Sequence, residues 1–171
     1  MNSLCLEPEI ISDAPAASVP PRVCGIAAVR AIRPQSGLLA CLESIARDRK
    51  MSVSQQALLQ RFPRRCRRFQ ADEGRIEYRD ALELMADLGL ADRFETVREL
   101  PALADLGDRV TRGVLLCVPE SKGAGPRWWR LAAVPGDGLV VMQPESEDPS
   151  RLVHLVWSEV ARLGAWAVAL D

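Results

Sequence analysis

The apolar rhythm of this chain changes once, at Gly89, and that change restricts the folds open to it. Before Gly89 apolar residues recur at helical spacing; after it they come in strand-length runs bounded by turn residues. Leu38, Leu39, Leu42 and Ile45 form the first helical stripe, with Glu43, Arg47 and Asp48 between them. Pro34 stands just ahead, which suits a helix entry. In a second helix Ser52 or Ser54 can cap the start, Ala57, Leu58 and Phe62 make the apolar stripe, and Pro63 ends it. A third helix is expected over 77–89, with Tyr78, Ala81, Leu82, Met85 and Leu88 on one face and Gly89 at the C-terminal cap.

Beyond Gly89, Phe94, Thr96 and Val97 fit a short strand, and Leu100 to Leu106 reads as a helical turn. Five more runs have strand length: 113–118, 128–134, 139–142, 152–156 and 165–170. Pro135-Gly-Asp-Gly138 between two of them is a tight hairpin turn. Ser158 to Leu163 can form one short helix before the last strand. Helices first and an antiparallel sheet second argue an α+β fold, not a doubly wound one.

Length and composition narrow the function. A chain of 171 residues, 48% hydrophobic and 26% charged, is one soluble globular domain with spare length at an end. A net charge of −1 favours neither nucleic acid nor an anionic membrane. No apolar run approaches the roughly 18 residues a membrane span needs, so direct membrane insertion is not expected. Residues 1–33 read as a leader. Its proline-rich part up to Pro21 is expected to be flexible. Val23 to Ile32 is apolar enough to dock on the domain at 34–171. Met1 to Ile11 holds Glu7 and Glu9 and no basic cluster, unlike a secretory signal. Cys5, Cys24, Cys41, Cys66 and Cys117 are widely spaced and odd in number, which argues for structural thiols in a reducing cytoplasm and against a metal site.

The residues offer little for catalysis. The one histidine, His154, lies in the alternating strand Leu152-Val-His-Leu-Val-Trp157 and points away from Val153 and Leu155, into solvent or to a satisfied partner. Its rival role is a Cys41–His154 dyad, yet Cys41 falls on an apolar helix face, where a thiol is inert. Gly123-Ala-Gly125 lacks the Lys-Ser/Thr of a phosphate loop and reads as a hairpin loop. Arg61, Arg64, Arg65, Arg67 and Arg68 crowd a basic loop bordered by Asp72, Glu73 and Glu77; local charge compensation and a docking patch for an acidic partner are both open. Trp128 and Trp129 must face opposite sides of a strand, so one is expected in the core; for the other, simple packing and exposure as a partner anchor beside Arg127 are both open. Trp157 and Trp166 read as core.

Ser36-Gly-Leu-Leu-Ala-Cys-Leu-Glu-Ser-Ile-Ala-Arg47 followed by Met51-Ser-Val-Ser-Gln-Gln-Ala-Leu-Leu-Gln60 resembles the opening of a known family. It is similar to the N-terminal, papain-like peptidase domain of bacteriocin-processing ABC transporters. It resembles even more the degenerate version at the front of type I secretion transporters for RTX toxins and adhesins. Ala81-Leu-Glu-Leu-Met-Ala-Asp-Leu-Gly-Leu90 matches that family's third helix, and Gly113-Val-Leu-Leu-Cys117 its first sheet strand. The resemblance runs from Gln35 to Asp171.

That resemblance implies a papain-like cysteine peptidase fold, with N-terminal helices packed on a C-terminal antiparallel sheet. It also implies a lost active site. The nucleophile's place falls on Ser36 or Gly37, the histidine's on Trp128, and the orienting aspartate's on Gln143, ahead of Pro144; Gln35 is too close to serve as the oxyanion glutamine. An indole cannot accept a proton, and a hydroxyl with no base is a weak nucleophile. The expected protein is a non-catalytic docking domain that binds an unfolded exported protein or peptide. It would stand alone or belong to transporter subunits, with no cofactor, in the cytoplasm or at the inner face of the inner membrane. The candidate contacts are Arg127, Trp128, Trp129, Arg64, Arg65, Arg67 and Arg68. Two readings compete: an active leader peptidase using Cys41 or Ser36, and a regulatory subunit docking through Arg61 to Arg68.

Overall fold

The computed structural model describes residues 22–120 and 123–171. The proline-rich leader up to Pro21 lies outside the described residues. A small hairpin, β1 (Arg22–Val23) and β2 (Ile26–Ala27), opens the fold. Four helices follow: α1 (Gly37–Asp48), α2 (Gln55–Arg61), α3 (Arg67–Gln70) and α4 (Tyr78–Asp87). Then come β3 (Phe94–Val97), α5 (Leu100–Ala104) running into a 3-10 turn, and β4 (Val114–Val118). The chain ends with β5 (Arg127–Ala133), β6 (Gly138–Met142), β7 (Val153–Val156), α6 (Trp157–Leu163) and β8 (Trp166–Leu170).

All pairings in the six-stranded sheet are antiparallel, in the order β3-β8-β4-β5-β6-β7. The α+β expectation and the strand runs therefore hold, with ends shifted by a residue or so. α1 is buried on every side. Leu38, Cys41, Leu42 and Ile45 face the sheet, while Ala40 lies under Ala27 and Val29 of the docked 23–32 segment. A helix apolar all round is held by such enclosure, not by its intrinsic propensity. In α2 the Ser54 hydroxyl accepts from Ala57 N at 3.1 Å, which chooses between the two capping serines. The buried stripe differs from expectation: Ala57 is exposed, and Leu59 joins Leu58 inside because the 30–34 segment covers that flank.

The basic stretch 64–68 is not a plain loop. Its second half is α3, because Cys66 and Phe69, three apart, both insert into the core. The sheet departs from expectation too: both its faces are covered. Trp128 belongs to the cluster under α1 and α4, whereas Trp129 packs on the opposite face with Leu103, Leu106 and Val160 from α5, the 3-10 turn and α6. They are 1% and 8% exposed, so neither indole is a surface anchor. A sequence run cannot reveal that a short amphipathic turn 25 residues upstream will cover the second face.

The β5–β6 turn fixes one glycine. A Cβ on Gly138 would collide with the backbone of Leu155 and Val156 across the β6–β7 ladder. Gly138→Ala therefore forces the edge strand outward; a loss of about 1–3 kcal/mol, read as a lower urea midpoint at unchanged m-value, is the expected result.

Candidate functional site

Of the positions expected to replace a catalytic set, Gly37 and Trp128 lie side by side, while Gln143 enters only through the turn that carries Glu145. The N-terminus of α1, the start of β5 and the segment leaving β6 converge. A Cβ added to Gly37 would sit 3.1 Å from Glu145 Oε1 and 3.2 Å from the Trp128 carbonyl oxygen. Ser36 is 1% exposed and its hydroxyl is spent locally, donating to the Arg33 carbonyl at 2.7 Å and accepting from Arg33 N at 3.3 Å. The Trp128 ring turns into the core, parallel to Tyr78 with centroids 6.3 Å apart, and its Nε1 donates to the Ile76 carbonyl at 3.2 Å. The Gln143 carbonyl accepts from Ser146 N and Oγ at 3.1 and 2.8 Å, so this stretch is a tight turn that aims Glu145 at α1.

The central charge of the site was not foreseen. Gly37 N donates to Glu145 Oε1 at 3.3 Å, placing a carboxylate at the positive end of α1. The Arg75 guanidinium, itself buried, grips the same carboxylate through Nε at 3.1 Å and Nη2 at 2.8 Å. Its Nη1 reaches Glu120 at 2.6 Å, and Arg127 closes the row on the other oxygen of Glu120. The hydrogen bonding it donates to Glu145, ahead of the other contacts, holds the Arg75 guanidinium above its ordinary range. Arg75 is placed by glycines. Its N donates to Ala124 O at 2.8 Å, and Gly74 (φ +137°) and Gly125 (φ +73°) let the two loops touch backbone to backbone. Gly123-Ala-Gly125 is thus a loop between β4 and β5, as read, with the added task of seating Arg75.

Among the described residues three thiols, Cys41, Cys66 and Cys117, are buried and withdrawn from chemistry, while Cys24 is exposed. Cys41 is fully buried one turn into α1, with Sγ donating to the Trp128 carbonyl at 3.6 Å, and burial pushes its pKa far up. Burial likewise lifts Cys66 to about 11 and Cys117 to about 12. His154 is exposed on edge strand β7 and meets Asp137 at 3.0 Å, two strands away from β5. The structure does not bring it to Cys41 or Ser36.

Of the expected docking arginines, three are engaged: Arg127 with Glu120, and two in the basic stretch. Arg65 pairs with Glu83 and Asp87, and Arg68 with Glu77. Arg64 and Arg67 are exposed. Beside the α1 N-terminus opens a cleft of about 440 Å³ lined by residues 30–34, Pro144 and Glu145. A second of about 350 Å³ shares Ile32 and Arg33 and runs to Gln56, Leu59, Gln60 and Gln70. Among the described residues no helix is long and apolar enough to cross a membrane.

No protein-family model and no curated protein matches the sequence. A solved structure does match in fold: the peptidase domain of Streptococcus ComA, a bi-functional ABC transporter involved in a quorum sensing pathway. The likeness has a TM-score of 0.54 at 18% identity and covers 84% of this chain and 97% of that one. The chain therefore has the α+β fold of a transporter peptidase domain, a likeness of architecture and not of sequence.

Proposed function

We propose that this chain is a non-catalytic, papain-like docking domain of, or associated with, a type I secretion ABC transporter, and that it holds an unfolded exported protein or peptide. It acts in the cytoplasm, at the inner face of the membrane when assembled with transporter subunits. One observation carries the reading: where a peptidase needs a nucleophile and a base, α1 offers Ser36 and Gly37 against the Glu145 carboxylate and the Trp128 backbone. An oxyanion forming at that helix end would face a carboxylate already bound there. The Ser36 hydroxyl donates to the Arg33 carbonyl, which cannot act as a base, and Cys41 is held as a neutral thiol beneath the surface.

Two assays on the full chain test it. With a thiol-reactive probe at neutral pH, Cys41, Cys66 and Cys117 are expected to stay unlabelled until the protein is denatured, while exposed Cys24 reacts. In the second, leader-bearing peptides are expected to remain intact, and an unfolded exported protein to be retained on the immobilised chain. Rapid native labelling of Cys41 together with peptide cleavage would establish the active-peptidase reading instead.

A further inference from the structure

The two clefts flanking Ile32 and Arg33 form one groove, and its surroundings are basic in a chain whose net charge is −1. Among the described residues, Arg30, Arg33, Arg61, Arg64 and Arg67 make no ion pair, in contrast to Arg65 and Arg68 close by. Two of these guanidinium groups are stacked on rings: Arg33 lies 4.1 Å over Phe69 and Arg61 5.0 Å over Phe62. Stacking stiffens a side chain while leaving its in-plane N–H donors turned outward, the arrangement suited to gripping a carboxylate. Between Arg30 and Arg33, Ile32 is 51% exposed and borders both clefts. Among the described residues the one acid in the groove wall is Glu145, and both its oxygens are engaged by Arg75, so it repels an incoming anion little.

We infer that this groove binds an acidic, extended stretch of polypeptide, with carboxylates on Arg30 and Arg33 and an apolar side chain against Ile32. Rows of Asp or Glu broken by single apolar residues complement that surface in charge and shape. Gln56, Gln60 and Gln70 along the second cleft supply amides that can pair with a peptide backbone. The groove is a poor seat for nucleic acid: the large apolar side chains exposed on the described surface are Ile32, Leu100 and Val156, none of them a ring on which a base could stack. The inference rests on the docking reading and gives it a partner class.

The test uses the full chain and a short fluorescent peptide of alternating Asp and Ser with one central Leu, followed by anisotropy. An Asn-for-Asp counterpart and a single-stranded RNA oligonucleotide run in parallel. The Asp peptide is expected to bind about tenfold tighter than its neutral counterpart and to weaken as salt rises. Arg30→Gln/Arg33→Gln is expected to remove about tenfold in affinity, Ile32→Ser to weaken binding further, and Arg162→Gln on α6 to leave it unchanged. Should the Arg30/Arg33 variant lose its fold by circular dichroism, Arg64→Gln/Arg67→Gln, at exposed sites, replaces it with the same expected direction. Equal affinity for the neutral peptide, indifference to the arginine variants, or tighter binding of the oligonucleotide overturns the inference. Retention of an unfolded protein with no charge preference would leave docking standing without it. Cleavage of the bound acidic peptide would sink the docking reading while the charge preference survived.

Discussion

Arg130→Ala is expected to cost about 3–5 kcal/mol of stability, the range for breaking a buried ion pair by removing one partner. Arg130 is 1% exposed at the middle of β5, directly beneath α1. Its Nη1 lies 2.6 Å from Asp48 Oδ2 and donates to Ser44 Oγ at 2.5 Å; Ser44 in turn donates to the Ala27 carbonyl in β2. One guanidinium therefore ties the sheet, the last turn of α1 and the docked hairpin together. Truncation takes the cation away from a largely buried carboxylate and opens a void the length of an arginine side chain. The expected readout is a urea midpoint lowered at near-constant m-value. Arg130→Met fills the void yet still removes the charge, so it recovers part of the loss. Arg130→Met/Asp48→Asn is expected to lose less than the two single variants summed, because contacting residues are not additive. Strict additivity would show that the pair contributes nothing.

Trp128→Ala is the second large effect, about 3–5 kcal/mol by the usual cost of emptying a buried aromatic site. The indole is 1% exposed, stacks on Tyr78 and satisfies the Ile76 carbonyl, and Tyr78 meets Trp166 edge-on at 6.1 Å. Its removal strips one member from a row of three rings and leaves a carbonyl with no donor. Trp128→His, which puts an imidazole where the proposed resemblance expects one, is expected to be milder in stability and to yield no proteolysis. The imidazole would find no thiolate: burial keeps Cys41 neutral, and Glu145 occupies the Gly37 N–H. Peptide cleavage by Trp128→His would show that one substitution alone separates this chain from an enzyme.

What the sequence revealed is what periodicity can carry. Leu38 to Ile45 and Tyr78 to Leu88 predict α1 and α4 because the spacing of apolar residues is a property of the helix itself. The strand runs were legible for the same reason, and Ser54 because a cap acts on its own helix. The site's charged centre was not. Arg75, Glu120 and Glu145 are 25 or more residues apart and sit in polar loops, where each looks like ordinary surface. Only the meeting of two glycine-bearing loops buries Arg75. Arg130 was hidden inside an apolar run, and its partner Asp48 read as the solvent side of a helix. Trp129 was misjudged as a possible anchor because alternation reports which face a residue takes, not what covers that face. The basic stretch divided for a comparable reason: Arg65 and Arg68 reach back to acids on and just before α4, while Arg64 and Arg67 do not.

The final strand, β8, does not lie at the rim of the sheet but between β3 and β4. During synthesis the ribosome must therefore release residue 170 before the centre of the sheet can be zipped up. Until then β3 has no neighbour in the sheet, and the apolar flank of β4 stays open to other chains around it. A nascent chain stalled short of Trp166 would emerge as helices beside an unfinished sheet, a natural client for chaperones.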